Sequence, residues 1–390
     1  MTKLQEKLIS IYNGTSKNVY GHKDQAETLF FNFLDNYSVF DYGIMPDTIA
    51  NKGKAQSIMA GYLFNILNKA SFYENLKDSA ILNNYDAYLQ KNLLVENNLI
   101  DSYQKNQPTS HYISLSDGDK DINIDELNNI KVDNVFLKVK KASKFTATEN
   151  KILTQAVYFY EHNKSSDTSI LPLEIVFRFK LDPESSFLKR CKNNSDYAKL
   201  FNLNDVDKYC NENLPYPIIE FFSKLEPKDR LLSYSEASMM ADLSAQDLKQ
   251  LINFCMLMAI SLKYIFNDHQ IDLIDGKFEV IKITKNNQTS FILADSIGLD
   301  ELRLEYDSTT LSKEILRKFY RLTDWFKLFN QNSNNKDNLP PSLSHPVKEI
   351  IDKLYGSVVN HLLQQEVFPD QLSLKDLCYR LRSIKLENGS

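Results

Sequence analysis

The sequence predicts an α+β fold, in which antiparallel strand pairs and long helices occupy separate stretches of the chain. Alternating apolar residues at 9–12 and an apolar run at 29–34 indicate two strands joined through polar residues. A further pair of strands is predicted over 275–295, where apolar alternation resumes after a short polar turn. Residues 243–266 carry apolar side chains at helical spacing behind a capping sequence, which predicts a long amphipathic helix.

The first strand leads into a loop that is suited to contacting phosphate. After residues 9–12 the chain continues through 13–20, which contains Gly14, two small hydroxyl residues and Lys17. Backbone N–H groups and a lysine in such a loop can cover the phosphates of a nucleotide. The same residue types also form ordinary turns, and the motifs GxxxxGK[ST] and GxGxxG are both absent.

The central part of the chain combines predicted elements with a polar excursion. A helix is predicted over 53–64 and a strand over 132–140. Residues 101–129 are polar and lack periodicity, so we expect a loop rather than core there. Their acidic run 117–125 does not fit the twelve-residue calcium pattern, so we expect solvated acids. The apolar segment 170–178 is interpreted as a buried strand, a connection between lobes, or both.

The strand pair near residue 280 carries the most informative charges of the chain. Side chains alternate along a strand, so Asp275, Lys277 and Glu279 project from one face. The returning strand brings Asp295 back towards Glu279. Two carboxylates can hold Mg²⁺ and a lysine can neutralise phosphate, which together predict a magnesium–nucleotide site. The alternative is an amphipathic hairpin whose charged face is simply solvated.

The length of the hairpin loop distinguishes two registers. A two-residue turn at Asn286 and Asn287 would set Glu279 opposite Ala294 and send Asp295 to the other face. A three-residue loop that includes the next glutamine would pair Glu279 with Asp295 directly. The magnesium interpretation therefore predicts the three-residue loop, and asparagine tolerates the left-handed backbone that such loops need.

The C-terminal part has the composition of a linker followed by helices. Residues 330–344 are polar and contain two consecutive prolines, which is typical of a linker. Two short helices are predicted over 347–363 and 372–384. Their sequence indicates no catalytic or binding role. Two alternatives are open: these helices dock on the rest of the chain, or they contact a second copy of it.

Composition is consistent with a cytoplasmic enzyme of two to three lobes. The 390 residues are 43% hydrophobic, and Lys+Arg 46 against Asp+Glu 51 gives a net charge of −5, which argues against a nucleic-acid surface. We expect neither a signal segment nor an apolar run long enough to span a membrane. The 4 cysteines lack CxxC spacing and the 6 histidines form no zinc pattern, so reduced structural thiols are expected.

Taken together, several segments resemble the family of phosphoribosylaminoimidazole-succinocarboxamide synthase, or SAICAR synthetase. They follow the order found in that family and span roughly residues 8 to 325. The matching segments are 14–20, 37–43, 51–53, 171–178, 185–190, 217–224, 275–279 and 295–303. The chain departs from the family pattern at Thr15, at Pro183–Ser186, at Gly276 and at Ser296–Leu299, where a proline is missing. These departures leave the metal carboxylates and main lysines in place and bear more on substrate identity.

The resemblance implies a two-lobed, kinase- or ATP-grasp-like fold and an ATP-dependent ligase of purine biosynthesis. Such an enzyme joins carboxyaminoimidazole ribonucleotide to L-aspartate through an acyl phosphate, with Mg²⁺ as cofactor, and acts as a monomer or homo-oligomer. The implied organisation is an N-terminal lobe over 1–170, a larger lobe over 171–330, a linker over 331–346 and a helical extension over 347–390.

The resemblance also implies roles for individual residues. Glu279 and Asp295 would hold the metal, as the strand pattern already suggests. The implied catalytic residues are Lys224, Lys277 and, near the aspartate pocket, Asp229. The implied ATP-binding residues are Gly14, Ser16, Lys17, Val19, Ile170, Leu171, Lys224, Lys277, Glu279 and Asp295. The implied substrate-binding residues are Asp41, Lys52, Gly53, Arg178, Ser186, Arg190, Asp300 and Arg303.

Three other functions compete with this one. A ligase of the same fold could join a different acid and amine, which the departures near 185 and 298 motivate. A kinase-like phosphotransferase is disfavoured because HRD, DFG and VAIK motifs are absent. A non-catalytic nucleotide-binding protein is disfavoured because paired acids are costly to bury without a cation.

Overall fold

The computed structural model describes most of the chain and confirms the α+β class. The described residues are 7–40, 42–85, 91, 99–105, 107–129, 134–331 and 338–384.

A six-stranded antiparallel sheet forms the N-terminal half. Its strands are β1 Leu8–Asn13, β2 Lys17–His22, β3 Gln25–Phe33, β4 Tyr112–Ser116, β5 Asp121–Ile122 and β6 Phe136–Lys140, in the spatial order β1-β2-β3-β6-β4-β5. The expectation that 101–129 is a loop outside the core is wrong, because β4 pairs with β6 and buries Leu115 completely. The strand was missed because it is only five residues long and lies between polar segments.

A nine-stranded sheet follows and is built around one long strand. Its strands are β7 Ser143–Lys144, β10 Thr168–Ile170, β11 Leu173–Arg178, β12 Ile218–Ser223, β13 Leu231–Leu232, β14 Asp272–Lys285, β15 Gln288–Ala294, β16 Leu302–Tyr306 and β17 Thr309–Thr310. A separate hairpin is formed by β8 Thr146–Ile152 and β9 Gln155–Glu161. The strand β14 pairs with β10, β11, β15 and β16, so its residues lie at the centre of the sheet. The proposed lobe boundary at 170 falls between β10 and β11.

The two sheets meet at the start of β4. His111 donates its backbone N–H to the carbonyl of Leu293 (3.0 Å), and Leu293 donates to Thr109 (2.7 Å). The end of β15 is therefore fixed to the N-terminal sheet, which brings the loops of both sheets to one place.

The helices cover both sheets. They are α1 Lys52–Leu67, α2 Ala70–Lys77, α3 Ala80–Asn83, α4 Leu99–Gln104, α5 Ser186–Asn193, α6 Ser195–Lys199, α7 Tyr234–Met240, α8 Ala245–Asp268, α9 Glu314–Arg321, α10 Asp324–Gln331, α11 His345–Leu363 and α12 Leu374–Ser383, with short 3₁₀ turns at Ile124–Asn129 and Asp207–Cys210. The predictions of α1, α8, α11 and α12 are confirmed, and Ser244 caps α8 as its sequence predicts.

The central helix α8 is the one element among the described residues that is long and apolar enough to cross a membrane. The expectation that no segment reaches this length is therefore wrong. Its most apolar window is 72% buried inside the protein, as in the core helix of a globular protein.

The C-terminal helices dock on the body of the protein. The helix α11 packs against α1, and α12 packs against α11. The backbone N–H of Ala50, just before α1, bonds to the Asp352 carboxylate of α11 (2.8 Å). Of the two alternatives left open by the sequence, docking on the same chain is what the structure shows.

Candidate active site

Two adjoining cavities of about 370 Å³ each lie where the two sheets meet. The first extends from the β1–β2 turn to the middle of β14 and the end of β15, and the second lies along β11, β14 and β16. Of the residues that the sequence singled out, the first cavity is lined by Ser16, Lys17, Lys224, Lys277, Glu279, Asp295 and Asp300. The second is lined by Arg178, Asp229, Lys277, Asp300 and Arg303.

The strand β14 carries Lys277 and Glu279 on the face that lines the first cavity, as its alternation predicts. Lys277 pairs with Glu174 of β11 (Nζ to Oε2, 2.8 Å), and Lys224 pairs with Glu279. Burial would lower the pKa of Lys277, but the neighbouring Glu174 carboxylate outweighs it and raises this pKa above its usual value. Both lysines are therefore held in the charged form.

The prediction of a three-residue hairpin loop is wrong. The structure has a two-residue turn at Asn286 and Asn287, with φ of 51° and 60°, and Glu279 lies opposite Ala294. Two-residue turns with both φ positive match the twist of the strands they join, which explains the preference for asparagine.

Asp295 nevertheless reaches Glu279, by another route. The strand β15 ends at Ala294, and Asp295 has a left-handed backbone with φ of 58°. This single residue turns its side chain back into the cavity, where a continued strand would point it away. His111 contacts the backbone of this residue, with its Nε2 3.1 Å from the Asp295 carbonyl oxygen, and so stabilises the left-handed conformation.

Glu279 and Asp295 form a partly buried pair of neighbouring acids, whose side chains are 18% and 23% exposed. Burial, followed by the nearby Asp295 charge, raises the pKa of Glu279 to about 7. Burial would also raise the pKa of Asp295, but the paired Lys17 ammonium holds it below its usual range. Burial and the second carboxylate therefore make Glu279 easier to protonate than an exposed glutamate.

The donor set of this acid pair fits a hard divalent cation. Carboxylate oxygens are the ligands that Mg²⁺ prefers, and Mg²⁺ commonly takes only one or two carboxylates, with phosphate and water supplying the rest. Within the described residues, there is no group of three or more His, Cys, Asp and Glu side chains that could hold a metal. Glu279 and Asp295 are therefore suited to a metal that arrives with a phosphate ligand.

The second cavity is lined by arginines held in ion pairs. Arg178 is buried and contacts Glu220 (Nε to Oε2, 2.8 Å) and Asp275 (3.2 Å). Arg303 lies 3.3 Å from Asp275 and the same distance from Asp182. The carboxylates fix the guanidinium groups in place, which is the preorganisation that bidentate binding of phosphate or carboxylate requires.

Asp300 lies at the junction of the two cavities. Lys52, whose side chain is 1% exposed, donates to its Oδ2 (2.6 Å), and Tyr355 of α11 donates to its Oδ1 (2.6 Å). Burial opposes ionisation, but the Lys52 charge outweighs it and lowers the pKa of Asp300 to about 2. Asp300 is therefore an ionised acceptor held on both oxygens.

The remaining sequence-predicted residues do not line these cavities. Arg190 pairs with Glu220 and lies over the Tyr197 ring, while Ser186 is exposed at the start of α5. The others are Gly14 in the β1–β2 turn, Val19 and Leu171 in the core, Ile170 in β10 and Gly53, whose N–H bonds to Asp35. Asp41 lies outside the described residues.

Several lining residues were missed by the sequence reasoning. Lys313 and Arg317 line both cavities. They are four residues apart at the start of the helix α9, and this spacing places them on one helix face. That spacing was a usable signal. Glu301 also lines both and accepts from Gln56 of α1 (2.6 Å), and burial raises its pKa to about 7. The other missed residues are Thr15, Phe33, Asn36, Tyr37, Ser38, Phe40, Glu174, Phe278 and Ser296.

Comparison with known proteins gives a consistent result. The family model for SAICAR synthetase matches residues 10–331. A Thermoplasma volcanium protein named phosphoribosylaminoimidazole-succinocarboxamide synthase is 26% identical over 90% of this chain and 98% of its own. An Archaeoglobus fulgidus protein that bears this name provisionally is 27% identical over 91% of this chain and 93% of its own.

A solved structure has the same fold. The SAICAR synthase from Saccharomyces cerevisiae, complexed with SAICAR, superposes with a TM-score of 0.53 at 15% identity. The match covers 94% of this chain and 97% of that one.

Proposed function

This chain belongs to the SAICAR synthetase family of ATP-dependent ligases in purine biosynthesis, and we propose that it joins carboxyaminoimidazole ribonucleotide to L-aspartate. The observation that carries the proposal is the convergence of Lys17, Lys224 and Lys277 on the acid pair Glu279–Asp295 in one cavity. That set combines phosphate-neutralising cations with carboxylates that suit a metal–phosphate complex.

The proposed reaction activates a carboxylate by phosphorylation. A carboxylate oxygen of the imidazole substrate attacks the γ-phosphorus of ATP, the bond to the β-phosphate oxygen breaks, and ADP leaves. The amine of L-aspartate then attacks the acyl carbon, loses a proton and displaces inorganic phosphate. Oxide is a poor leaving group and phosphate a good one, so the first step makes amide formation possible.

Glu279 and Asp295 are the residues that would hold Mg²⁺, which would offset the negative charge of the phosphates when bound. Lys17, the first residue of β2, lines the same cavity and would contact the outer phosphates. Lys17 pairs with Asp295, and Lys224 pairs with Glu279. Phosphate oxygens would give both lysines further anionic partners in the same cavity.

The second cavity is the proposed position of the ribonucleotide. Arg178 and Arg303 would bind its phosphate and carboxylate, and Asp300 would accept from the exocyclic amine of the imidazole. Lys313 and Arg317 add two cations on the side shared by both cavities, where the carboxylates of L-aspartate need partners. Asp229 lines the same cavity and is proposed near that amino acid.

The other site assignments stay proposals that rest on the family resemblance. They comprise nucleotide contacts at Gly14, Ser16, Val19, Ile170 and Leu171, and substrate contacts at Asp41, Gly53, Ser186 and Arg190. A cytoplasmic location and the division into lobes at residue 170 are proposed on the same ground.

The test is release of ADP from Mg-ATP in the presence of carboxyaminoimidazole ribonucleotide and L-aspartate, with each component omitted in turn. The proposal requires ADP only when all are present, and formation of the succinocarboxamide product by mass spectrometry. Glu279→Gln keeps the shape of the side chain but removes the charge, so we expect a loss of at least about 100-fold in kcat.

The matched control is Glu212→Gln, an exposed glutamate outside both cavities, which should keep full activity. ADP release that requires a different acid or amine would assign the fold to another ligation. Nucleotide binding without any turnover would indicate a non-catalytic homologue, and either result overturns the proposal.

A further inference from the structure

The helix α11 reaches the candidate site, although it lies beyond the residues that the family model matches. It packs against α1, and its Tyr355 is 1% exposed. The phenol hydroxyl donates to Asp300 Oδ1 at 2.6 Å. No described residue of α11 lines either cavity, so Tyr355 acts on the site through Asp300, which lines both.

Tyr355 and Lys52 act on the same carboxylate from two helices. Lys52, at the start of α1, donates to Asp300 Oδ2 at 2.6 Å, and its ammonium lies 5.6 Å from the centre of the Tyr355 ring. Each carboxylate oxygen thus has one donor from the protein. An ionised carboxylate offers about four lone-pair positions. Because Asp300 lines both cavities, it can also accept hydrogen bonds from a ligand there.

Docking of α11 does not require the Tyr355 hydroxyl. The helix is also fixed by Asp352, which accepts from Ala50, and by His361, whose Nε2 lies 2.9 Å from the His269 carbonyl oxygen at the end of α8. A phenylalanine would fill the same buried space and keep the ring beside Lys52. The hydroxyl is thus placed for its contact with Asp300 rather than for packing.

We propose that Tyr355 is a positioning residue, whose hydroxyl orients Asp300 to accept a hydrogen bond from the exocyclic amine of the imidazole substrate. The proposal rests on the proposed function and deepens it. It gives the C-terminal helices a part in substrate recognition, and it gives Lys52 the complementary part on the second oxygen.

The decisive variant is Tyr355→Phe. With only Lys52 left to orient Asp300, we expect KM for carboxyaminoimidazole ribonucleotide to rise on the order of tenfold, as for loss of one hydrogen bond to a charged group. KM for ATP and for L-aspartate should change by less than about twofold, since their proposed contacts are elsewhere. A general structural defect would raise all of them or lower kcat alone.

A double-mutant cycle separates positioning from packing. In Asp300→Asn, the further change Tyr355→Phe should have little additional effect on KM, because the hydroxyl acts through the carboxylate. Tyr234→Phe is the control, since that hydroxyl donates to the Ile219 carbonyl (3.0 Å) outside both cavities, and its kinetics should match the unsubstituted chain. Thermal unfolding of every variant verifies that each is folded.

The possible results differ in what they overturn. If the unsubstituted chain turns over the imidazole substrate and Tyr355→Phe leaves its KM unchanged, the positioning role is wrong and the proposed function stands. The same holds if the tyrosine effect persists in Asp300→Asn. If the unsubstituted chain does not use this substrate at all, the proposed function fails first, and the role assigned to Tyr355 fails with it.

Discussion

At the scale of single residues, the backbone of Asp295 decides whether the acid pair exists. A left-handed conformation at a residue other than glycine is uncommon, although aspartate and asparagine tolerate it best. Such conformations are found where the surroundings enforce them and often at functional sites. Here the support comes from Lys17 on the side chain and from His111 on the carbonyl.

Replacing Asp295 by asparagine should separate backbone conformation from charge. Asparagine also accepts the left-handed region, so the fold and its melting temperature should be nearly kept. Loss of the carboxylate should lower kcat at least about 100-fold and weaken Mg-nucleotide binding. ADP release and titration with Mg-ADP measure the two effects.

Asp307→Asn is the matched control for this change. Asp307 also has a positive φ of 47°, in the β16–β17 turn and outside both cavities. It should keep full activity. Equal activity of the two variants would show that the charge of Asp295 is not needed.

Sequence could identify some of these residues and not others. Lys277 and Glu279 follow from strand alternation alone. The face on which the Asp295 side chain lies does not follow from alternation, because it depends on one φ angle just after the strand. Tyr355 could not be found, because its partner Asp300 is 55 positions away and the two meet only through packing of α11 on α1.

At the scale of elements, the β14–β15 hairpin shows how the register is set. Its pairs run from Glu279–Ala294 to Lys285–Gln288, and Val280 and Leu293 within it are fully buried. A shift by one residue would move these side chains to the other face of the hairpin and out of the main core, so packing and the two-residue turn fix the same register. The error in the predicted loop length came from assuming that Asp295 continues the strand.

The turn itself can be tested through Asn287. Its φ of 60° suits glycine and opposes a β-branched side chain. Asn287→Gly should keep the stability of the chain, whereas Asn287→Val should lower the free energy of unfolding by about 1–2 kcal/mol. Chemical denaturation of both variants measures this difference. Equal stability of the two would contradict the two-residue turn.

The same strand explains a departure from the family pattern at Gly276. A Cβ at this position would lie 2.6 Å from both Phe177 and Leu302, so neighbouring side chains fill the space in the structure. The sequence showed only that an aromatic residue was absent. In the structure, side chains of β11 and β16 fill the space of that aromatic residue. This is a tertiary contact, which no local sequence pattern predicts.

At the scale of the whole molecule, the meeting of the two sheets places many charges in a small volume. The α+β class, the strand pairs and the long helices followed from periodicity and turn residues. The paired charges could not be predicted, because Lys277–Glu174 and Lys52–Asp300 each join distant segments. Such clusters change their protonation with pH, and this makes stability dependent on pH.

Glu301 provides a test of this dependence. Its pKa is about 7 in the folded chain, raised by burial and then by Asp300, against 4.5 ordinarily. Between these values the folded chain holds a proton that the unfolded chain has lost, so this residue's contribution to stability falls as pH rises. Glu301→Gln stays neutral, so its stability relative to the unsubstituted chain should rise between pH 5 and 7, by at most about 1.4 kcal/mol per pH unit.

The difference between the two proteins is the quantity to measure, by thermal unfolding at several pH values without ligand. His111 has the opposite effect on the pH dependence of stability, because burial lowers its pKa to about 4. This effect is present in both proteins and cancels in the difference. A flat difference for Glu301→Gln would show that this carboxyl ionises normally.

The two-residue turn of the β14–β15 hairpin also has a practical use. Its tip at Lys285–Gln288 is exposed, and six residues of strand, roughly 20 Å, separate it from Glu279. The orientation of Asp295 is set locally, by its own backbone and His111, and not by the length of this turn. A reporter peptide or fluorophore attached there would leave the ligase chemistry intact, which makes the tip a natural handle for labelling and immobilising the protein.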